Sequence, residues 1–145
     1  MQNTLFLVAS ALLIAFVAAA PNKPSVKDLV QGVSKKCAAQ TKASAEQSKL
    51  AFSQGIPKDE TEKCYLECVY SGVGLIKDNK FNDQGGKKLV ELRFQEAKQK
   101  ELANKLIATC AKEIAAKENE KCSLGRAVRE CFATHGKQVN FFPSA

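Results

Sequence analysis

The chain has 145 residues, 45% hydrophobic and 26% charged, a length that suits one domain. Its 22 basic and 15 acidic side chains give a net charge of +7, but the lysines are scattered and no nucleic-acid-binding motif accompanies them, which argues against that class. A single histidine, with no Cys-x2-Cys pair among the six cysteines, argues against a zinc centre.

Residues 1–20 contain no Lys, Arg, Asp or Glu; Leu5 to Val17 is apolar, and Val17-Ala18-Ala19-Ala20 supplies small residues for cleavage. This predicts a signal peptide over 1–20, although the usual basic start is missing, and a mature domain over 21–145. As a membrane anchor the stretch is short and lacks a basic flank. Export places the protein outside the cell, where six cysteines in a small chain read as a disulfide framework.

The mature chain starts with an extended arm, Pro21 to Pro24. Ser25 then caps a helix with apolar positions Val26, Leu29, Val30, Val33 and Cys37. Ser44-Ala-Glu-Gln47 is a capping box for a short second helix, buried through Leu50, Ala51 and Phe52 and ended by Gly55. After Ile56-Pro57, Asp59 or Thr61 starts a third helix whose apolar side carries Cys64, Cys68, Val69 and Val73 and continues towards Leu75 and Ile76. Lys77 to Lys80 is a polar turn. Asn82 or Asp83 caps a fourth helix with Leu89, Val90, Leu92 and Phe94. A fifth runs from about Gln95 through Leu102, Leu106, Ile107, Cys110 and Ile114. The last holds Cys122, Leu124, Val128, Cys131 and Phe132, ends at His135-Gly136, and leaves an apolar tail with Val139, Phe141 and Phe142. No strand pattern competes, so the predicted fold is all-α with about six helices.

Cys64 and Cys68 are one helical turn apart, so their side chains point the same way and are poorly placed to bond to each other. Cys122 and Cys131, nine residues apart, fall on opposite faces of one helix. Removing both pairs still leaves several complete pairings open.

The spacing Cys37-x26-Cys64-x3-Cys68-x41-Cys110-x11-Cys122-x8-Cys131 closely resembles that of the six-cysteine insect odorant-binding proteins, the pheromone and general odorant-binding superfamily. The x3 and x8 gaps carry most of the resemblance, which covers essentially the whole mature chain. It implies three interlocked disulfides, Cys37–Cys68, Cys64–Cys122 and Cys110–Cys131, around an internal apolar cavity. It further implies a carrier that reversibly binds a small apolar ligand (an odorant, pheromone, terpene or fatty-acid derivative) and moves it through extracellular fluid to a chemosensory receptor or membrane surface. A monomer or weak homodimer, with no cofactor and no metal, goes with that reading. The residues after the third cysteine, Val69, Tyr70 and Ser71, are implied to face the ligand, as are Phe132, next to the sixth cysteine, and Val139, Phe141 and Phe142 in the tail. Helical period adds Leu89, Leu106 and Ile107. Two features depart from the family: the chain is basic where many members are acidic, and His135 stands alone at a helix end, so no histidine pH switch is carried over.

Nothing in the sequence argues for an enzyme. There is no Gly-x-Ser-x-Gly, and Gly72-Val73-Gly74 lacks the strand–turn–helix setting of a phosphate loop. The alternative readings are a non-olfactory extracellular lipid or hormone carrier and a basic membrane-active defence protein. The mixture of lysines with acidic residues speaks against the second.

Overall fold

The computed structural model describes residues 22–144. The predicted signal peptide therefore lies outside the described residues, apart from which the elements follow the sequence closely. Helix α1 spans Val26–Thr41, opened by a reciprocal capping box between Ser25 and Asp28. Helix α2, Ala45–Ser48, has the same device between Ser44 and Gln47 and runs on into a 3-10 turn, Lys49–Phe52. Helix α3, Glu60–Gly72, is capped by Asp59, whose carboxylate accepts from the Glu62 N–H at 2.8 Å.

The buried side of this segment includes Val69 and Val73, as expected, but not the two cysteines. Tyr65, Leu66, Val69 and Tyr70 are buried, while Cys64 and Cys68 sit half-buried along the flank. A disulfide needs its sulfurs at the seam between two helices, so the central stripe passes to the larger apolar side chains. Leu75 and Ile76 do not continue the helix. Gly74 turns the chain at φ +91°, and Ile76–Lys77 (β1) pairs antiparallel with Lys80–Phe81 (β2). Asp78 and Asn79 take positive φ between them, the left-handed turn that favours such residues in a two-residue hairpin. This hairpin corrects the expectation that no strand forms; it is too short to carry an apolar–polar alternation that the sequence would reveal.

Helix α4 is Asp83–Arg93, with Asn82 at its cap position. Asn82 does not cap through its side chain; its Nδ2 instead donates to the Gly74 carbonyl at 3.0 Å, closing the hairpin base. Helix α5, Ala97–Glu113, begins two residues later than expected, and α6 is Ser123–His135. Cys122 stands just before α6 in a left-handed conformation rather than inside it. The described residues thus form an all-α fold of six helices, one 3-10 turn and one two-residue hairpin.

Three disulfides link the helices in series. Cys37–Cys68 joins α1 to α3, Cys64–Cys122 joins α3 to the start of α6, and Cys110–Cys131 joins α5 to α6, with Cα separations of 5.6, 4.9 and 5.9 Å. Neither α2 nor α4 is stapled. Helix α4 is held by packing on α5, where Gly86 leaves room for the Ile107 side chain: a Cβ at Gly86 would sit 2.8 Å from Ile107 Cδ1. Helix α2 is held by the buried polar groups described next.

Candidate ligand-binding site

Helices α3 and α6 form the most extensive helix pair in the fold. They approach closely because Gly125 faces α3. A Cβ there would lie 2.1 Å from the Lys63 carbonyl oxygen and 2.7 Å from the Glu67 N–H nitrogen. The close approach brings Tyr70 of α3 against Arg129 of α6. Arg129 is 1% exposed. Its Nε donates to the Tyr70 hydroxyl at 2.7 Å, Nη2 to the Leu50 carbonyl at 2.7 Å, and Nη1 to the Gly55 carbonyl at 3.3 Å and to the Ser53 carbonyl. One guanidinium therefore ties the end of the 3-10 turn and the loop after it to α6. Tyr65 does the matching work on the other side. Its hydroxyl donates to the Ser48 carbonyl at 2.7 Å and accepts from Ser34 Oγ of α1, also at 2.7 Å. Burial pushes both phenols above the ordinary tyrosine value, partly offset at Tyr65 by the Ser34 hydrogen bond and at Tyr70 by the nearby Arg129 charge. Both are neutral hydrogen-bonding groups at physiological pH.

Beside this polar layer lies a cluster of six aromatic rings. Phe132 is its centre, with Phe141 at 5.0 Å, Phe142 stacked at 5.6 Å and Phe81 edge-on at 6.3 Å between centroids. Phe141 reaches Phe94 at the end of α4, at 6.0 Å, and Phe142 reaches Tyr70 at 5.4 Å. These are ordinary aromatic pairing distances. The cluster draws one ring each from α3, β2, the end of α4 and α6, and two from the tail. Where a hollow apolar centre was expected, these rings are packed together, and the tail supplies the ones that close the space.

The tail is held mainly by those rings. Val139, Phe141 and Phe142 are buried, yet the tail's backbone bonds are few: Val139 N–H to Gly136 O at 3.0 Å, Phe141 N–H to Val139 O at 2.8 Å, and Arg93 Nη2 to Asn140 O at 3.4 Å. Such a segment can leave its seat without breaking a ladder of hydrogen bonds.

The sequence-derived candidates separate clearly. Tyr70, Phe132, Phe141 and Phe142 meet in the cluster. Val69, Leu89, Leu106, Ile107 and Val139 are buried in the same core. Leu106 and Val139 also line a cleft of about 370 Å³ under the start of the tail. Ser71 is a correction: it is exposed, and it lines a separate outer cleft with Gln40 and Thr61. One residue past Tyr70 on a helix rotates a side chain by roughly 100°, away from the core. Sequence reading missed Arg129, Tyr65 and Phe81 and placed Phe94 only among the apolar positions of the fourth helix. Arg129 had a legible signal, since it falls on the helical stripe with Gly125 and Phe132, but its charge argues for the surface. Phe81 and Phe94 end short elements whose direction only the fold decides.

Glu113, Cys131 and His135 offer ligand atoms close together, with His135 Nε2 and Glu113 Oε2 2.9 Å apart. Cys131 is bonded to Cys110, so no thiolate is available there and the group is a hydrogen-bonded His135–Glu113 pair beside a disulfide. No described helix is long and apolar enough to cross a membrane.

The model of the PBP/GOBP family matches residues 19–135, from before the first helix to the end of α6. The chain belongs to this family. Two solved structures share the fold at low identity. The odorant-binding protein dmelOBP28a of Drosophila melanogaster has a TM-score of 0.64 and 18% identity, over 75% of this chain and 90% of that one. Odorant binding protein 5 of Apis mellifera has a TM-score of 0.61 and 18% identity, over 81% of this chain and 93% of that one. No curated protein matches the chain. As a PBP/GOBP member the protein is a small odorant carrier rather than an enzyme.

Proposed function

We propose that the protein is a secreted carrier whose ligand occupies the aromatic centre now filled by Phe141 and Phe142. The observation that carries this reading is the seating of the tail: two phenylalanines enter the core on a segment with few backbone bonds. A small apolar molecule satisfies the same walls, Tyr70, Phe132, Phe94 and the aliphatic core around Leu89, Leu106 and Ile107, while the tail moves aside or closes over it. The disulfides keep α1, α3, α5 and α6 together while the centre changes occupant.

The energetics suit a transient cargo. Burying about ten methylene-sized groups gains about 8 kcal/mol. Association opposes it by about 4 kcal/mol or more, and ring contacts return part of that. The net of about 5–7 kcal/mol corresponds to a Kd of about ten to a few hundred micromolar, which permits both loading and release. Delivery of odorants or pheromones to chemosensory receptors is the use proposed for it.

The test is displacement of a fluorescent apolar probe from the oxidised mature protein by a panel of alcohols, aldehydes, esters, terpenes and fatty acids. Since the chain has no tryptophan, intrinsic indole emission does not obscure the probe. Saturable displacement with micromolar midpoints supports a carrier. A folded, disulfide-intact sample that takes up no probe would remove the proposal.

A further inference from the structure

Arg129 is a buried cation without a buried anion. A guanidinium keeps its charge in proteins and offers five N–H donors. Four are engaged here, three by backbone carbonyls and one by the Tyr70 hydroxyl. Among the described residues no carboxylate pairs with Arg129, and the second Nη2 hydrogen meets no acceptor. The Tyr70 hydroxyl accepts from Arg129, and its own proton likewise has no acceptor among the described residues. Two donors are thus left over at one buried spot.

What lies over that spot is the hydroxyl edge of Tyr70 and the face of one ring, Phe142. The guanidinium carbon is 5.9 Å from the Tyr70 centroid, beyond the hydroxyl that Nε bonds to, and 5.8 Å from the centroid of Phe142. A ring face is a weak partner for a cation compared with a carboxylate. Tyr70 is fixed on α3, but Phe142 belongs to the releasable tail.

We infer that the ligand is an amphiphile with a carboxylate head group, which replaces the Phe142 ring beside Arg129 and accepts from the free Nη2 hydrogen and the Tyr70 O–H. The inference rests on the carrier reading and narrows it: the apolar chain takes the aromatic centre, and Arg129 with Tyr70 selects the head. An alcohol or ester of the same length fills the apolar space equally well but leaves the buried charge without a counter-ion. Arg129 is then a specificity-determining residue as well as a support for the loop it binds.

The experiment compares dodecanoic acid, dodecan-1-ol and methyl dodecanoate at neutral pH on the oxidised mature protein, by probe displacement and by calorimetry. The acid is expected to bind about tenfold or more tighter than the alcohol and the ester, the margin of a charge-assisted over a neutral hydrogen bond. Tyr70→Phe keeps the ring and removes the hydroxyl; it is expected to lower the acid-to-alcohol ratio several-fold. Arg129→Gln is expected to abolish the ratio. Where that variant fails to fold because three carbonyls lose their donor, the wild-type ranking and Tyr70→Phe decide alone. Equal binding of acid and alcohol by the wild type overturns the inference and leaves the carrier intact. A folded Arg129→Gln protein that still prefers the acid overturns it too, because another cation then does the selecting. Failure of all three compounds to displace the probe, by contrast, counts against the carrier reading itself.

Discussion

Deleting residues 139–145 tests whether the tail is a removable plug. Burial of Val139, Phe141 and Phe142 gains about 1.5–3 kcal/mol each, about 5–9 kcal/mol together. Ordering the five backbone residues from Val139 to Pro143 opposes this by about 1–2 kcal/mol each, about 5–10 kcal/mol together. The ring contacts to Tyr70, Phe94 and Phe132 then hold the closed form ahead by a few kcal/mol, at about 0.5–1.5 kcal/mol apiece. A gap of that size leaves the open form populated at about 0.1–10%. A ligand that binds only the open form has its apparent affinity reduced by the same fraction. The truncated protein is therefore expected to bind an apolar probe about tenfold or more tighter than the full chain. Its Tm is expected to fall by about 10 °C, as befits a loss of a few kcal/mol, and to recover on adding ligand. Fluorescence titration and a thermal melt measure the two. Unchanged probe affinity would refute the plug, and weaker binding would make the tail a wall of the site instead.

Four other outcomes follow from the packing and the titrating groups. Gly125→Ala, whose Cβ would lie 2.1 Å from the Lys63 carbonyl oxygen, is expected to destabilise by about 1–3 kcal/mol or more in chemical denaturation. Gly32→Ala, on the exposed face of α1 with open space around it, is expected to stabilise by about 1 kcal/mol, so a matching loss there would undo the packing argument. Among the disulfides, replacing Cys64 and Cys122 together is expected to cost about 4 kcal/mol, against about 3 kcal/mol for Cys110 and Cys131, because the separations are 58 and 21 residues; the reverse order would show that chain entropy is not the controlling term. The two buried phenols give the pH dependence. Their folded values lie above the ordinary tyrosine value of about 10, so the folded state holds these protons more tightly. That stability is fully present below pH 10 and is lost as pH rises through the raised values. Tyr65 and Tyr70 are the only tyrosines in the chain, so ultraviolet absorbance is expected to show phenolate only together with alkaline unfolding. An ordinary titration step near pH 10 in folded protein would contradict their burial.

The two N-terminal capping boxes and the Asp59 cap were legible because each depends on residues three apart in the chain. Helical period marked Val30, Leu89, Leu106, Ile107 and Phe132 as buried for an equally local reason. The cysteine spacing suggested the family by resemblance, but spacing alone left the pairing open, since pairing depends on which helices become neighbours. The hairpin at Ile76–Phe81 was hidden by its shortness. Ser71 followed from a family pattern of position, and the one residue of helix rotation beyond Tyr70 placed it outside.

Composition, period and caps thus determined an all-α, disulfide-framed domain with an apolar tail. Tertiary structure decided how that tail is used and where the charge sits. A sequence ranks arginine as a surface residue, because burying a charge is unfavourable unless partners surround it. The partners of Arg129 are three carbonyls from a loop more than seventy residues away and a hydroxyl on another helix. No local pattern records such partners, because backbone carbonyls are the same in every residue and only the fold brings them to one point.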